Sequence, residues 1–443
     1  MAHNQQRDFI DKIKRRSPKY FSNQTVLEVG SLNINGTVRD FFENCEYVGL
    51  DVAEGDGVDI VCEGQKYDAP DNSYDVVCSA ECFEHNPYWL ETFENMIRLC
   101  KPGGFVFFTC ATEGRLEHGT SRSTPLDSPL TVNLGWEYYR NLSERDFRQF
   151  INFDNQFKYY KFEVNDESKD LYFWGIKKSE ITVDAPIPVI GVPIVNGFHW
   201  MERLVNSVDY PVNELVILDN NGRGELTEQL DNLAKIKHEY IKKITVCHLP
   251  ANIGCSGAWN MIIKCYMNAP YWIISNHDIE FSPGLLKDII QKNEDLDIGM
   301  VYGNEQAQWD LFLINDWVVQ ECGLFDENLY PAYVEDVDYY IRLILSNIKT
   351  NHSNIPYLHG EKDYATTGSQ TWRVDPSLQG KLAHSRILNE NWYIYYKWGP
   401  EWIDPGYDWT KTNPYKYPFN NESFPLGYTT YNLDFVRKKH LGF

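Results

Sequence analysis

The run VLEVGSLNING, residues 26–36, decides the fold of the first half of the chain. It begins as an apolar strand that reaches Glu28, turns at Gly30, and arrives at Gly36 just before a predicted helix over residues 37–42. A glycine-containing turn between a strand and a helix lets a ligand approach bare backbone, which is the usual position of a nucleotide-like cofactor in doubly wound sheets. The run therefore predicts an α/β fold with a cofactor at the end of its first strand.

Short apolar runs alternate with amphipathic stretches on both sides of residues 176–187, where polar residues and Pro186 interrupt the pattern. We interpret the interruption as the boundary between a first domain, residues 1–180, and a second, residues 186–443. The alternation predicts a parallel sheet flanked by helices in the first domain, and a second α/β sheet after the boundary. Strands are predicted at residues 25–28, 47–51, 74–78, 105–109, 189–193, 214–219, 244–248 and 271–275, and further helices at 88–99, 200–208 and 258–266. From about residue 376 the periodicity weakens, which predicts an irregular extension of the second domain.

The composition excludes several classes of protein. The chain has 443 residues, 41 Lys and Arg against 63 Asp and Glu, and a formal net charge of -22. We expect no nucleic-acid binding, because that affinity needs clustered cations and the sequence has no basic block. We expect no transmembrane segment and a cytoplasmic location, since there is neither a signal-peptide core nor a run of 18 apolar residues. The ten Cys lack metal or disulfide spacing, so we expect reduced thiols.

Acidic residues at strand ends give the first domain its chemistry. Glu28 would repel the pyrophosphate of a dinucleotide but suits the cationic amino and sulfonium groups of S-adenosylmethionine. Asp51 ends the next strand, where it can accept both ribose hydroxyls. Glu63, the run PDNSYDVV at residues 70–77 and LCKPGG at 99–104 follow in order.

This ordered set, over roughly residues 20–150, resembles the class I S-adenosylmethionine-dependent methyltransferases. The resemblance implies a Rossmann-like sheet of seven strands, with Glu28 and Gly30 near the methionine part of the cofactor. It also implies that Asp51 contacts the ribose and Glu63 lies near the adenine. Methyl transfer to a hydroxyl needs a base. His85, in AECFEHNPYW, is the predicted base, and His118, in LEHG, is the alternative.

The second domain opens with strands that end at Pro193 and Asp219, whose carboxyl ends can hold a base and a ribose. The loop NIGCSGAWN, residues 252–260, and the triplet Asn276-His277-Asp278 follow. A carboxylate at the end of an apolar strand, with no cationic neighbour in sequence, favours a divalent metal that carries a diphosphate. Farther on, Glu335 and Asp336 begin a predicted amphipathic helix, where acids are also favoured simply by the helix dipole.

The order of these motifs, completed by His359-Gly360 and YYKWGP at residues 395–400, resembles the inverting, family-2-like GT-A glycosyltransferases over roughly residues 186–398. The resemblance implies that Asp336 is the general base, with Glu335 beside it, and that Asp278 and His359 hold Mn²⁺ or Mg²⁺. Substrate-binding residues are likewise implied: Pro193, Asp219 for the nucleoside base, and Asn252 and Asn260 for the donor pocket.

Together the two resemblances indicate a bifunctional enzyme of glycan assembly. The second domain would transfer a sugar from a UDP- or dTDP-sugar to a glycan or glycoprotein, and the first would O-methylate a sugar hydroxyl. Two alternatives stay open from the sequence. One is a glycosyltransferase with a non-catalytic methyltransferase-like module, and the other is a glycan-binding protein without turnover.

Overall fold

The structure is a computed structural model that describes residues 4–178, 185–222, 224–306, 309–361, 369–371, 373–390 and 397–398. The chain divides into two compact units, Met1–Val183 and Asp184–Phe443. Among the described residues, no helix is both long enough and apolar enough to cross a bilayer.

The first unit contains one seven-stranded mixed sheet in the order β3-β2-β1-β4-β5-β7-β6. The strands are β1 Thr25–Val29, β2 Glu46–Asp51, β3 Ile60–Val61, β4 Tyr74–Ala80, β5 Cys100–Ala111, β6 Phe157–Asn165 and β7 Asp170–Lys177. β1 to β5 are parallel to one another, whereas β7 runs antiparallel to both of its neighbours, β5 and β6. The expected seven-stranded α/β sheet is confirmed, with one reversed strand, β7, that the sequence pattern did not indicate.

Five helices occur between residues 4 and 178 of this unit: α1 Asn4–Arg16, α2 Trp89–Leu99, α3 Pro129–Asn133, α4 Glu144–Arg148 and α5 Phe153–Gln156. A cluster of stacked and edge-on rings, centred on Phe93, Phe108 and Phe173, joins α2 to the sheet. The helix predicted over residues 37–42 is instead a single 3₁₀ turn, Val38–Phe41. Val38, Phe41 and Phe42 are poor helix formers, so this short segment has little intrinsic tendency to extend the turn.

The second unit contains a seven-stranded sheet in the order β10-β9-β8-β11-β14-β13-β15 and a two-stranded sheet of β12 and β16. The strands are β8 Ile187–Ile194, β9 Val212–Asp219, β10 Ile244–His248, β11 Tyr271–Ser275, β12 Ile279–Glu280, β13 Ile298–Tyr302, β14 Leu311–Asn315, β15 Lys349–His352 and β16 Leu358–His359. β11 and β14 are almost wholly buried, and such continuous apolar runs are typical of strands covered on both faces.

The described residues of this unit form seven helices: α6 Phe198–Asn206, α7 Thr227–Leu233, α8 Gly254–Cys265, α9 Leu285–Lys292, α10 Asp316–Cys322, α11 Glu335–Leu345 and α12 Pro376–Leu388. The sequence predicted an irregular extension from about residue 376, but the structure has a helix, α12, at the start of that segment. Proline is suited to the first helical turn, and Leu, Gln, Lys, Ala and Arg after it favour a helix. The rest of the expected extension, apart from residues 389–390 and 397–398, lies outside the described residues.

Candidate active sites

One edge of the first sheet collects the carboxyl ends of β1, β2, β4 and β5. Gly30 follows β1 with a φ of +81°, and a Cβ built on it would lie 2.6 Å from the Cβ of Cys82. Its amide donates to the carbonyl of Leu50 at 2.8 Å. Glycine alone suits both this dihedral and this close approach. The turn after β1 is thereby held against the end of β2.

Asp51 is the last residue of β2, and a backbone amide holds each of its carboxylate oxygens. Leu32 N donates to Oδ2 at 3.0 Å and Val52 N donates to Oδ1 at 2.7 Å. Burial raises the pKa of Asp51, while the two amide hydrogen bonds oppose the shift. Each oxygen keeps a second lone pair. A fixed carboxylate of this kind fits the ribose diol of S-adenosylmethionine.

Glu63 lies beside Asp51 along the same edge. β3 pairs with the end of β2, and Cys62 N donates to the carbonyl of Asp51 at 2.8 Å. The Glu63 carboxylate accepts from Gln65 Nε2 at 2.7 Å and pairs with Lys66 Nζ at 2.6 Å. Asp51 and Glu63 are thus neighbours along this edge, and their contacts with the ribose and the adenine stay predictions.

Glu28 is more deeply buried than Asp51 and Glu63, the other acids predicted to contact the cofactor. Its side chain belongs to a residue only 4% exposed, and the Tyr47 hydroxyl donates to Oε2 at 2.7 Å. Burial raises the pKa of Glu28 to about 7. The carboxyl group is therefore buried inside the unit, against Tyr47 of β2. Its contact with the methionine part of the cofactor stays a prediction.

His85 ends the 3₁₀ turn Phe83–His85 that follows β4, and His118 lies in the loop after β5. Their ring centroids are 5.0 Å apart, and Tyr139 contacts both rings. Burial, and then the neighbouring His118, lower the pKa of His85 to about 3. The imidazole is therefore neutral at neutral pH, but a group with so low a pKa is a weak proton acceptor.

The second unit has a cavity of about 1200 Å³. Five residues singled out from the sequence line it: Pro193, Asn252, Glu335, Asp336 and His359. They come from β8, the loop before α8, the start of α11 and β16. The fold thus gathers motifs up to 166 residues apart in the chain around one space.

Two of these motifs are held directly against each other. Gly254 has a φ of +80°, and a Cβ there would lie 2.9 Å from the carbonyl oxygen of Pro331. Cys255 N donates to that same oxygen at 2.7 Å, and the Tyr330 hydroxyl donates to Asn252 O at 3.0 Å. The asparagine loop therefore fixes the segment that leads into α11.

Asp336 lies in the first turn of α11, half-buried on the cavity wall. Its Oδ1 accepts from Val337 N at 2.8 Å. Burial raises the pKa of Asp336, although nearby backbone amides oppose the shift. The two residues before α11, Tyr333 and Val334, have φ values of 78° and 77°. For a β-branched residue this dihedral is strained, and such strain concentrates at functional sites.

Asp278 and His359 lie next to each other, with Asp310 behind the imidazole. Asp278 Oδ1 is 3.3 Å from His359 Nε2, and His359 Nδ1 is 2.7 Å from Asp310 Oδ2. Both carboxylates raise the pKa of His359 to about 9, against the effect of burial. Asp278 Oδ1 and His359 Nε2 are buried and make no hydrogen bond. To bind here, a divalent cation would have to displace the proton of His359 Nε2. Asp310 would then hold the imidazole through Nδ1, as carboxylates commonly do for metal-binding histidines, so Asp278 and His359 fit a divalent cation on those terms.

Three of the predicted substrate and metal residues do not line the cavity. Asp219 is 2% exposed, and its Oδ2 lies 2.8 Å from His248 Nδ1. Asn260 donates to Phe325 O at 2.8 Å and accepts from Phe325 N at 2.9 Å, so its amide fixes a loop inside the unit. Asp278 is fully buried behind His359, with its Oδ2 bonded to the amide of Gln370 at 2.7 Å.

Comparison with known families decides what these two units are. A model described as a methyltransferase domain matches residues 1–165, and the model for glycosyl transferase family 2 matches residues 189–309. The chain joins a methyltransferase domain to a family 2 glycosyltransferase domain.

Individual relatives are distant. A galactofuranosyl glycosyltransferase of Leishmania donovani is 22% identical over 228 residues, covering 36% of this chain and 52% of the relative. The chain therefore matches about half the length of that protein. Among solved structures, phosphoethanolamine N-methyltransferase 2 of Haemonchus contortus, in complex with S-adenosyl-L-methionine, has a TM-score of 0.29 at 15% identity over 39% of this chain and 53% of its own. The YcgJ protein of Bacillus subtilis has a TM-score of 0.28 at 11% identity over 39% of this chain and 99% of its own.

Two residues of these domains escaped the sequence analysis. Asp310 of the glycosyltransferase domain precedes β14, so no strand-end signal marks it, and only the tertiary contact with His359 shows its position. Glu84 of the methyltransferase domain adjoins His85, but nothing in AECFEHNPYW distinguishes it from a surface acid. It is completely buried.

Proposed function

We propose that the glycosyltransferase domain transfers a sugar from a UDP- or dTDP-sugar to a hydroxyl of a glycan or glycoprotein, with inversion. The observation that carries this proposal is the cavity of about 1200 Å³, on whose wall Asn252, Asp336 and His359 come together. Ligand cavities are commonly about 300–1,000 Å³, so a nucleotide sugar and part of an acceptor can be accommodated.

In this reaction Asp336 takes the proton from the attacking hydroxyl. Its position on the cavity wall and its raised pKa both suit a base that must be ionised yet able to accept a proton. Asp278 and His359 would hold Mn²⁺ or Mg²⁺, and the bound ion would neutralise charge on the departing diphosphate. Asp310 orients His359 for that role.

The methyltransferase domain, on this proposal, methylates a sugar hydroxyl with S-adenosylmethionine. Asp51 binds the ribose, Glu63 lies near the adenine, and the turn at Gly30 brings backbone close to the cofactor. The His85 and His118 pair lies after the neighbouring strands β4 and β5 of the same edge, where an acceptor hydroxyl would meet the methyl group. The enzyme contributes chiefly by holding the two reactants in line.

A screen of sugar nucleotides tests the proposal. Wild-type chain is incubated with UDP- and dTDP-sugars, with and without Mn²⁺, and hydrolysis and thermal shift are recorded. Because the Leishmania donovani relative is named a galactofuranosyl glycosyltransferase, a galactofuranose donor joins the panel. We expect one donor to raise the melting temperature and to be hydrolysed slowly.

The metal assignment is tested in the same assay with Asp278→Asn, and Asp316→Asn on α10, an acid that bonds Gln320 and not His359, serves as the control. We expect the first variant to lose Mn²⁺-dependent donor binding and the second to keep it. A panel in which no sugar nucleotide shifts the wild-type chain would contradict the transferase proposal itself.

A further inference from the structure

The turn after β4 buries a carboxylate that has no side-chain partner in the described part of the chain. Glu84 is 0% exposed, and neither of its carboxylate oxygens makes a hydrogen bond. His85 beside it is 3% exposed, and its Nδ1 is also buried and unbonded. Burying an ionised carboxylate without compensation is very costly, so such a group needs either a proton or a cation.

A third side chain converges on these two from the loop after β5. One ligand atom from each of Glu84, His85 and His118 lies within 4.8 Å of the others. His118 Nδ1 is 3.1 Å from the carbonyl oxygen of Leu116. If Nδ1 carries the proton and donates to that carbonyl, Nε2 keeps its lone pair, which is the usual arrangement of a metal-binding histidine.

We propose that Glu84, His85 and His118 form a metal site in the methyltransferase domain, and that the site takes a divalent cation that prefers nitrogen and oxygen ligands, such as Zn²⁺. Two imidazoles and one carboxylate are a ligand set that zinc accepts, with a further coordination position left open. Atoms at zinc-bonding distance in a tetrahedral site lie about 3.4 Å apart. Small side-chain rotations would bring the three ligand atoms together.

The surroundings add negative charge that a cation would balance. Glu81 Oε2 lies 3.7 Å from His118 Nε2 and 3.8 Å from Arg115 Nη2. Arg115 also contacts Asp170, with Nη1 3.3 Å from Oδ1. The Arg115 guanidinium therefore already faces the carboxylates of Glu81 and Asp170. In the described part of the chain, Glu84 has no such cation beside it.

This site lies at the sheet edge that carries Gly30 and Asp51, because β4 and β5 run parallel to the strands that hold them. A cation there would lower the pKa of a coordinated hydroxyl, so that the hydroxyl could release its proton to water instead of to His85, the predicted base. That use rests on the proposed methyl transfer, whereas the binding of the cation does not.

The test is a zinc titration of the full-length chain, without methyl donor or acceptor, so its outcome is separate from that of the proposed function. Chain stripped with a chelator is titrated with Zn²⁺ against a chromophoric indicator, which gives the number of equivalents and the affinity. Glu84→Gln and His118→Ala are compared with wild type. Glu117→Gln, an exposed acid of the same loop, is the matched control.

We expect wild type and Glu117→Gln to bind one equivalent of Zn²⁺ at this site with the same affinity. Glu84→Gln and His118→Ala should bind that equivalent at least tenfold more weakly. Glu84→Gln removes an uncompensated buried carboxylate, so its metal-free melting temperature should equal or exceed that of wild type. This excludes unfolding as the cause of the lost affinity. If wild type and Glu84→Gln bind the same number of equivalents with the same affinity, there is no such site.

Discussion

An acidic residue at the start of α11 can have one of two roles, a structural role in the helix or a catalytic role. A carboxylate in a first helical turn stabilises the helix through the dipole, and this is worth about 0.3–1 kcal/mol. Asp336 has two further properties that helix stabilisation does not require: it lies on the cavity wall, and burial raises its pKa. Both properties suit a base.

Asp336→Asn should lower sugar transfer about a hundredfold or more while donor binding persists, since the amide keeps the shape but cannot take a proton. In wild type, transfer should fall on acidification at a pH above the ordinary range of an aspartate, because the group works only when ionised. Steady-state rates and donor affinity check this.

Glu335→Gln is the control and should have a milder effect on sugar transfer. Near-normal turnover in Asp336→Asn would remove the inverting mechanism, and a greater loss in Glu335→Gln would move the base by one residue.

Asp51→Ala should weaken S-adenosylmethionine binding tenfold or more, because two hydrogen bonds from ribose hydroxyls to a charged acceptor are lost, each worth about 1.5–3 kcal/mol. Isothermal titration of the full chain measures the change. Asp56→Ala, an exposed acid of the following loop, should bind as wild type does. Equal affinities in the two variants would contradict the ribose role.

Glu28 predicts a pH dependence of stability. Its pKa is about 7 in the folded unit and close to 4.5 in the unfolded chain, so between these values the folded state holds a proton that the unfolded state has released. Stability should therefore fall as the pH rises from 4.5 to 7, by on the order of 3 kcal/mol.

Glu28→Gln can still accept the Tyr47 hydrogen bond and has no proton to lose. It should match wild type near pH 5 and be more stable near pH 8. Hydrogen exchange of the peptides that cover β1 and β2 reports this locally. Parallel pH profiles for the two chains would mean that the carboxyl group titrates normally.

At the element scale, α11 is held from behind by buried charges. Arg342 Nη2 pairs with Asp338 Oδ2 at 2.8 Å, and all of their side-chain surface is buried. Lys397 Nζ lies 2.7 Å from Asp338 Oδ1 and 2.9 Å from Asp326 Oδ2, and Trp398 Nε1 donates to Asp338 at 2.8 Å. The described part of the extension is thus tied to the helix that presents Asp336.

Lys397→Met should destabilise the glycosyltransferase domain by about 3–5 kcal/mol, because it removes a buried cation and leaves the Arg342 guanidinium to balance both Asp326 and Asp338. Lys349→Met is the matched control. Its ammonium is 65% exposed and 3.5 Å from Asp297, so its loss should cost at most about 1 kcal/mol. Urea unfolding with hydrogen exchange of α11 measures both. Equal effects from the two variants would mean that the buried network contributes little.

The elements differ in how far the sequence could predict them. Strands such as β9 and β11 are continuous apolar runs, and α2 has a clear helical period, so local pattern was sufficient. Local pattern was not sufficient at residues 38–41, because the short mixed segment after Gly36 does not determine the length of a helix. α12 was missed because proline and polar residues hid a short run of helix formers.

The candidate sites show the same limit. The fold brings Asp336 and His359 to one cavity, and motif order carried that much information about topology, while their roles stay predictions. Asn260 does not reach the cavity, because a polar residue in a motif can equally serve a loop. Its amide bonds both the N–H and the carbonyl of Phe325, a contact 65 residues away that no local pattern reveals. Glu84 and Asp310 depend on such tertiary contacts too.

For the molecule as a whole, the question is why these two domains occupy one chain. Tethering converts an encounter between separate proteins into one within a single molecule, at an effective concentration that can reach millimolar for short flexible links. If the glycan made in one domain is methylated in the other, the advantage should be largest when the protein is dilute and should vanish when it is concentrated.

An equimolar mixture of Asp51→Ala and Asp336→Asn chains contains one working copy of each site on separate molecules, and it tests this idea directly. Compared with wild type at equal numbers of working sites, the mixture should add sugar at the same rate but accumulate the methylated product after a lag. The lag arises because each glycan must leave one chain and find another. It should shorten as both chains are concentrated, and mass spectrometry of the product over time measures it. Identical time courses for wild type and mixture at every concentration would mean that the two domains act independently, and that their fusion serves something other than transfer of the product between them.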